Sequence, residues 1–335
     1  MNYSNRPFEV DLVYLWVNGA DPEWQARRNA LIGVAEESSA VNCDGRYADN
    51  DELKYSLRAA AMYAPWIRKI FIVTDNQVPQ WLDTSNPRIR IVDHKEILPE
   101  KALPTFNSRV IEHNLYRIPD LSEHFLYAND DMFFNRPVGP ADFFEKDGYP
   151  IVRLNRRPFR KLSLKLKEKL LGKPISNYNK AIQRAAELVE SRFGIYFGSK
   201  THHNIDAYCK STYRHIREDL FKKEIEPTMV NHVRSENDVQ RNIYTYVAIA
   251  EKKAHRSYVS RKTSFRLHID NPKHFGKLDR VNPMLFCMND SQYATPADRE
   301  RVKKYLHRRF PHPSEFEISQ ELPEFNQTVA NQLFR

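Results

Sequence analysis

FLYANDDMFF, residues 125–134, is a run of aromatic and aliphatic residues interrupted by Asn129, Asp130 and Asp131. A short, nearly continuous apolar run of this kind reads as a strand buried on both faces, ended by polar residues. Two adjacent carboxylates at the end of a buried strand repel each other and need a compensating charge. A hard divalent cation, Mg²⁺ or Mn²⁺, supplies it and would in turn bind diphosphate oxygens. The other reading is a polar turn, where Asp is a common residue.

Outward from this stretch the same pattern repeats. EVDLVYLWV (9–17) is a second apolar run, followed by the turn residues Asn18, Gly19, Asp21 and Pro22. Further strands are expected over Lys69–Thr74, ending at Asp75, and Arg88–Val92, ending at Asp93. Helices are expected from Pro22 to Ile32, from Asp49 with Glu52 at capping-box spacing, and after Asn107. Pro65 stops the second of these. Residues 8–150 therefore predict an α/β fold with a mainly parallel sheet covered on both faces. Ligands bind such sheets beyond the carboxyl ends of the strands, where Asn18, Asp75, Asp93 and Asp131 all fall.

Residues 177–322 read as mainly helical. Helices are expected over 178–192, with Asn177 as cap and Gly194 beyond the end, over 236–253, with Ser235 and Asp238 at capping-box spacing, and over 296–309, opened by Thr295 and Pro296. Between the halves, 151–176 looks like a basic insertion. Within it, segment 153–173 carries nine Lys or Arg against Glu168 alone. That stretch is a solvated face, a surface for an anionic membrane with Leu162, Leu166 and Leu170 on its apolar side, or a holder of an anionic polymer.

Composition narrows the function classes. The 335-residue chain has 41% apolar and 28% charged residues, a soluble globular balance. Its net charge of +9 comes largely from the basic stretch, which argues against a nucleic-acid binder built over its whole surface. Only 9 glycines are present, and no GxGxxG or Walker A loop can be drawn from them. Cys43, Cys209 and Cys287 are far apart, unlike a disulfide framework or a structural zinc site. No apolar run reaches membrane-spanning length, and Met1 to Pro7 lacks a signal-peptide core. The expected setting is cytoplasmic, at most at the inner face of the membrane.

Three further groups could carry chemistry. His202 and His203, in GSKTHHNID, offer a base near neutral pH, a pair of metal ligands, or simply two loop histidines. Arg234, in NHVRSENDVQR, is either a planar fork for phosphate or half of a surface salt bridge. FCMND (286–290) ends another apolar run on Asn289 and Asp290, which either complete a metal shell or close a turn.

Taken in order, DLVYLWVNGADPEW (11–24), the block from Arg46 to Asp83, and the block from Ile89 to Phe134 resemble the first two conserved regions of the Stealth family. The segment 198–252 resembles its third region, and FCMND with RRFPHPSEFE (308–317) its fourth. The family contains bacterial capsule and cell-wall polysaccharide phosphotransferases and the animal N-acetylglucosamine-1-phosphotransferase. The resemblance implies a GT-A-like nucleotide-sugar fold and metal-dependent transfer of a hexose-1-phosphate, such as an N-acetylhexosamine-1-phosphate. The donor would be a UDP-sugar, the acceptor a glycan or lipid-linked glycan hydroxyl, and the released nucleotide UMP.

By the same resemblance, Trp16, Asn18, Gly19, Asp21, Arg46, Asp49, Asn50, Glu52, Asn107, Glu112 and Asn129 match positions at the nucleotide-sugar, with Ser108 beside Asn107. Asp130, Asp131, Asn289 and Asp290 match the metal-binding acidic ends. His203 matches the catalytic histidine and Arg234 the phosphate-contacting arginine. This sequence departs from the pattern at Asn18, where many members have Asp, and at Val233, where an aromatic is frequent. It also lacks the proline often found beside the histidine, which leaves His202 and His203 both open as the base. The alternatives to this function are a conventional glycosyltransferase that releases UDP, or a binding module whose basic stretch holds glycan or nucleic acid.

Overall fold

The computed structural model of the chain describes residues 8–32, 50–156, 175–290 and 293–318. The first half runs β1 (Val10–Leu15), α1 (Pro22–Ile32), α2 (Glu52–Tyr63), β2 (Ile70–Thr74), β3 (Ile89–Asp93), α3 (His94–Ile97), α4 (Ser108–Glu112), β4 (His124–Asn129), β5 (Met132–Phe134) and β6 (Ile151–Leu154). The second half runs α5 (Asn177–Phe193), β7 (Asp206–Cys209), α6 (Lys210–His215), α7 (Lys222–Ile225), α8 (Asn242–Ala250), β8 (His255–Tyr258), β9 (Ser264–His268), α9 (Lys273–Val281), β10 (Leu285–Asn289) and α10 (Pro296–Arg309).

The central sheet has five strands in the order β3-β2-β1-β4-β7. The first four are parallel, and β7 runs antiparallel to β4 at the edge. Side chains alternate across a strand, so β1 feeds two cores. Leu12 and Tyr14 join Leu57, Ile70, Ile72 and Leu126 on one face. Val13 joins Phe71, Val73, Phe125, Tyr127 and Val110 on the other. This two-sided burial is why the strands read as unbroken apolar runs. The order reverses between β1 and β4, with Leu15 beside Asn129 at their carboxyl ends, and a ligand crevice belongs at such a reversal.

A second sheet, β5-β10-β9, continues from that point. Asp130 and Asp131 are the two residues between β4 and β5, so the chain passes from one sheet to the other through the two acids. β10 pairs antiparallel with β5 and parallel with β9. A third pair joins β6 to β8. The last described residues pack back on the first half, where Arg58 of α2 holds Glu317 at 2.8 and 2.7 Å through both carboxylate oxygens.

The α/β class and the mainly parallel sheet are as the sequence predicts, as are α1 and α10 to the residue. The second half carries its helices with four short strands among them. α5 is capped by Ser176, whose hydroxyl accepts from Asn179 N at 3.4 Å, rather than by Asn177. The helix expected over 236–253 starts only at Asn242, because Asp238 is spent on side-chain bonds across the loop before it. α2 follows Asp51 in left-handed geometry, with no side-chain cap. Of the basic insertion, 151–154 form β6, and 157–174 lie outside the described residues, as do Arg46 and Asp49.

Candidate functional site

The register of β5 against β10 builds the centre of the site. Cys287 lies opposite Met132, and Met288 N donates to the Asp131 carbonyl at 2.9 Å. This brings the Cys287 thiol 3.2 Å from Asp131 Oδ2. Burial holds that thiol well above its usual range, so the S–H donates to the carboxylate. Asp131 N donates to Asp130 Oδ1 at 3.1 Å. The other Asp131 oxygen, Oδ1, is buried with no hydrogen-bond partner among the described residues. Burial, opposed chiefly by the Cys287 bond, pushes the Asp131 carboxyl up to about 6.

His203 completes the group. Its ligand atom and those of Asp131 and Cys287 all lie within 4.8 Å of one another. Asn204 Nδ2 donates to Ser264 Oγ of β9 at 3.1 Å, which pins the histidine loop over the second sheet. Burial first, then the Arg266 guanidinium, lowers His203 to about 3, so its ring is neutral at neutral pH. The unpartnered Asp131 oxygen fits a hard divalent cation, to which the protonated Cys287 thiol, spent as a donor to Asp131, offers no ligand.

Asn289 is the last residue of β10, one past Met288, and Asp290 follows it. Asp290 is gripped by Arg299 at 2.9 and 3.3 Å, and Asn289 Nδ2 donates to the Asp290 carbonyl at 3.1 Å. The negative charge of Asp290 still contributes to raising Asp131. The sequence reading missed Cys287 as a member of this centre. The signal was its place inside FCMND, two residues ahead of Asn289.

The two histidines separate. His202 turns away from the Asp131 group to Asp206, with Nε2 3.1 Å from the carboxylate. It opens a buried polar chain. Asp206 accepts from Arg241 at 2.8 Å, Arg241 lies 3.8 Å from Glu112, and its guanidinium stacks 4.4 Å from the Tyr127 ring centre. The Tyr127 hydroxyl is 3.0 Å from Glu112 Oε1 and 2.8 Å from Asn129 Oδ1. His202 Nδ1 and Glu112 Oε2 are buried without hydrogen-bond partners. The chain runs beneath the carboxyl end of β4, and of its members Asp206, Tyr127 and Arg241 were given no role by the sequence reading, although each lies inside a quoted motif.

A third group stands at the other end of the short helix α4. Asn107 caps it, accepting from Arg109 N at 3.2 Å, and its amide donates to Asn231 O, Val233 O and Asp238 Oδ2. Asp238 is fully buried and also accepts from Arg109 at 2.8 Å, Asn231 at 2.7 Å and Ser235 N at 3.0 Å. This knot presents Arg234, whose NH2 donates to Ser108 Oγ at 3.0 Å while its NH1 is buried with no partner. Asn107 therefore holds the Arg234 loop through its amide nitrogen while its amide oxygen caps α4.

At the carboxyl end of β1, Gln77 ties the first motif together. It accepts from Asn18 N at 2.9 Å and donates to Asn18 O at 3.0 Å and Asp21 Oδ2 at 2.9 Å. Asp21 Oδ1 accepts from Glu23 N and Trp24 N at the start of α1, and these bonds, led by Gln77, lower its carboxyl. The Gly19 carbonyl accepts from Gln25 at 2.8 Å, and the Trp16 indole N–H is buried without a partner. Asn50 and Glu52 bind one another, Asn50 N donating at 2.6 Å and its amide at 2.7 Å. Separately, an open groove of about 640 Å³ runs between α5 and the loop just past Arg234, lined by Gln183, Arg184, Glu187 and Glu236 among others.

Two family models match the chain: Stealth protein conserved region 1 over residues 8–33, and Stealth protein conserved region 2 over residues 46–152. The exopolysaccharide phosphotransferase CpsY of Mycobacterium leprae is 35% identical over 94% of this chain and 58% of its own. The exopolysaccharide phosphotransferase cps2G of Lactiplantibacillus plantarum is 48% identical over 44% of this chain and 43% of its own. The capsular polysaccharide phosphotransferase fcs1 of Haemophilus influenzae is 34% identical over 86% of this chain and 79% of its own. The chain thus spans about half the length of the first two and most of the third. Among solved structures it is similar to the galactosyltransferase LgtC, with a TM-score of 0.44 and 12% identity over 89% of this chain and 95% of that one. The chain belongs to the Stealth family, alongside capsular and exopolysaccharide phosphotransferases.

Proposed function

We propose that the protein transfers a hexose-1-phosphate from a UDP-sugar to a glycan hydroxyl, releasing UMP, in the making of a capsular or other cell-surface polysaccharide. The observation that carries the reading is the buried, half-satisfied Asp131 carboxylate beside a neutral imidazole. Family membership supports the reaction class.

Asp131, with Asp130 next to it and Asn289 and Asp290 two and three residues past Cys287 on the paired strand, would hold Mg²⁺ or Mn²⁺, and the His203 ring would stay off the ion. Bound there, the cation would offset charge on the donor diphosphate. In the proposed reaction the acceptor oxygen attacks the phosphorus that bears the sugar. The bond from that phosphorus to the oxygen bridging to UMP breaks, and UMP leaves with that oxygen. His203 takes the acceptor proton, for which its neutral ring is in the right form. Arg234, with one arm on Ser108 and one unpartnered, meets the charge that spreads over the phosphoryl oxygens. Asn107 and Asp238 act through Arg234, by holding its loop. Trp16, Asn18, Gly19, Asp21 and Asn129, at the β1–β4 reversal, form the floor on which the nucleotide would rest.

The test is the nucleotide product. A panel of UDP-sugars with Mn²⁺ and a glycan acceptor is expected to yield UMP and a phosphodiester-linked sugar. UDP as the product would overturn phosphate transfer in favour of ordinary glycosyl transfer.

A further inference from the structure

Arg266 stands out among the cations near the site because it has no partner. Its neighbours in the second half are engaged: Arg299 with Asp290, Arg301 with Asp298 and Arg309 with Asp279. Among the described residues no carboxylate lies within ion-pair distance of Arg266 and no hydrogen bond fixes it, and the side chain is exposed. The parallel register of β9 and β10 sets Arg266 beside Cys287, and His268 beside Asn289, so these four positions share one face. That face lies under the histidine loop, because Ser264 on the same strand receives Asn204. Cys287 in turn touches Asp131. The guanidinium is close enough for its charge to act on Asp131, His203 and Cys287, yet it bonds none of them.

We propose that Arg266 is an anion-binding residue of the site, supplying a planar fork to a phosphate oxygen of a diphosphate ligand held against the Asp131–His203–Cys287 group. The inference rests on the proposed function for the identity of that ligand as the donor diphosphate. The physical reason is complementarity. A diphosphate brought against buried carboxylates needs positive charge from more than a metal, and an exposed arginine with no ion-pair partner to give up can bind it bidentately. Arg266 and Arg234 would then approach the ligand from different elements, β9 and the loop before α8. The bland alternative is that β9 is an edge strand of its sheet and carries an arginine to deter edge-to-edge pairing. That role needs a charge but no particular ligand.

The experiment is calorimetric binding of inorganic pyrophosphate to the full chain with Mg²⁺ present, for the parent, Arg266→Ala and Arg266→Lys, with UMP release measured in parallel. Arg266→Ala is expected to weaken pyrophosphate binding at least tenfold and to raise the donor KM by a similar factor, with the melting temperature unchanged, and Arg266→Lys to recover part of the loss. Unchanged pyrophosphate affinity in Arg266→Ala, or no pyrophosphate binding by the parent, overturns the assignment. Lost pyrophosphate binding without UMP release by the parent on any UDP-sugar would leave Arg266 standing and sink the proposed reaction. Normal UMP release with the parental KM in Arg266→Ala would do the reverse.

Discussion

The carboxyl edge of the main sheet has two sides, and they treat their acids differently. On the β1–β3 side Asp21, Asp75 and Asp93 are all matched. Asp21 accepts from Gln77, Glu23 N and Trp24 N, Asp75 pairs with Arg27 at 2.9 Å, and Asp93 forms a capping box with Glu96. On the side where β4 passes into β5, Asp131 has one oxygen on a thiol and the other on nothing, and its carboxyl is pushed up to about 6 by burial. A fold gains nothing from a buried carboxylate left half-satisfied. The difference separates acids that build the edge from one with bonding capacity left over, which the proposed function assigns to a ligand.

The largest expected effect breaks or confirms that separation directly. Asp131→Asn keeps the shape and removes the charge. Turnover in the UMP-release assay should fall about 10³-fold, roughly 4 kcal/mol of transition-state stabilisation. The ligand-free variant should melt no lower than the parent, because the substitution removes a buried, incompletely paired charge. Loss of activity through unfolding, with a lower melting temperature, would place Asp131 among the structural acids instead.

Asp238 is the opposite case: fully buried and fully satisfied. Its pair with Arg109, at 2.8 Å, has side chains 0% and 6% exposed. Asp238→Ala strands that guanidinium and frees Asn107, Asn231 and Ser235 at once. Breaking a buried pair of this kind costs about 3–5 kcal/mol, measured as a drop in the denaturant midpoint. A cost below about 1 kcal/mol would mean that the knot under Arg234 does not hold the loop.

Asp238 also shows where sequence reasoning stops. Serine and an acid three residues apart are the local signature of a helix start, and the spacing is real. Here the acid is claimed by Asn107 and Arg109, about 130 residues back in the chain, and the helix waits until Asn242. The four parallel strands β1 to β4, α1, α10 and the acidic stop at Asp130–Asp131 were legible because local periodicity and caps define them, whereas the short strands β6 to β9 were not. Cys287, Arg266, Gln77 and the Asp206–Arg241 pair were not, because each acquires its role from a strand register or a loop crossing between segments remote in sequence. The separation of His202 from His203 was likewise invisible. Adjacent residues at the mouth of β7 face opposite ways, and only the partners Asp206 and Asp131 tell them apart.

Asp21 gives the smallest effect and the sharpest discrimination. The family resemblance sets it at the nucleotide, whereas the structure uses both its oxygens, Oδ1 for the first turn of α1 and Oδ2 for Gln77. If it only builds the edge, Asp21→Ala should cost about 1 kcal/mol of stability, the usual worth of an N-cap. Asp21→Ser, which can still accept from the helix, should recover most of that and keep the parental donor KM. A nucleotide contact gives another pattern: Asp21→Ser would melt like the parent but show a donor KM raised several-fold. The pair of variants therefore tests whether an acid with both oxygens bonded inside the protein can also serve a ligand.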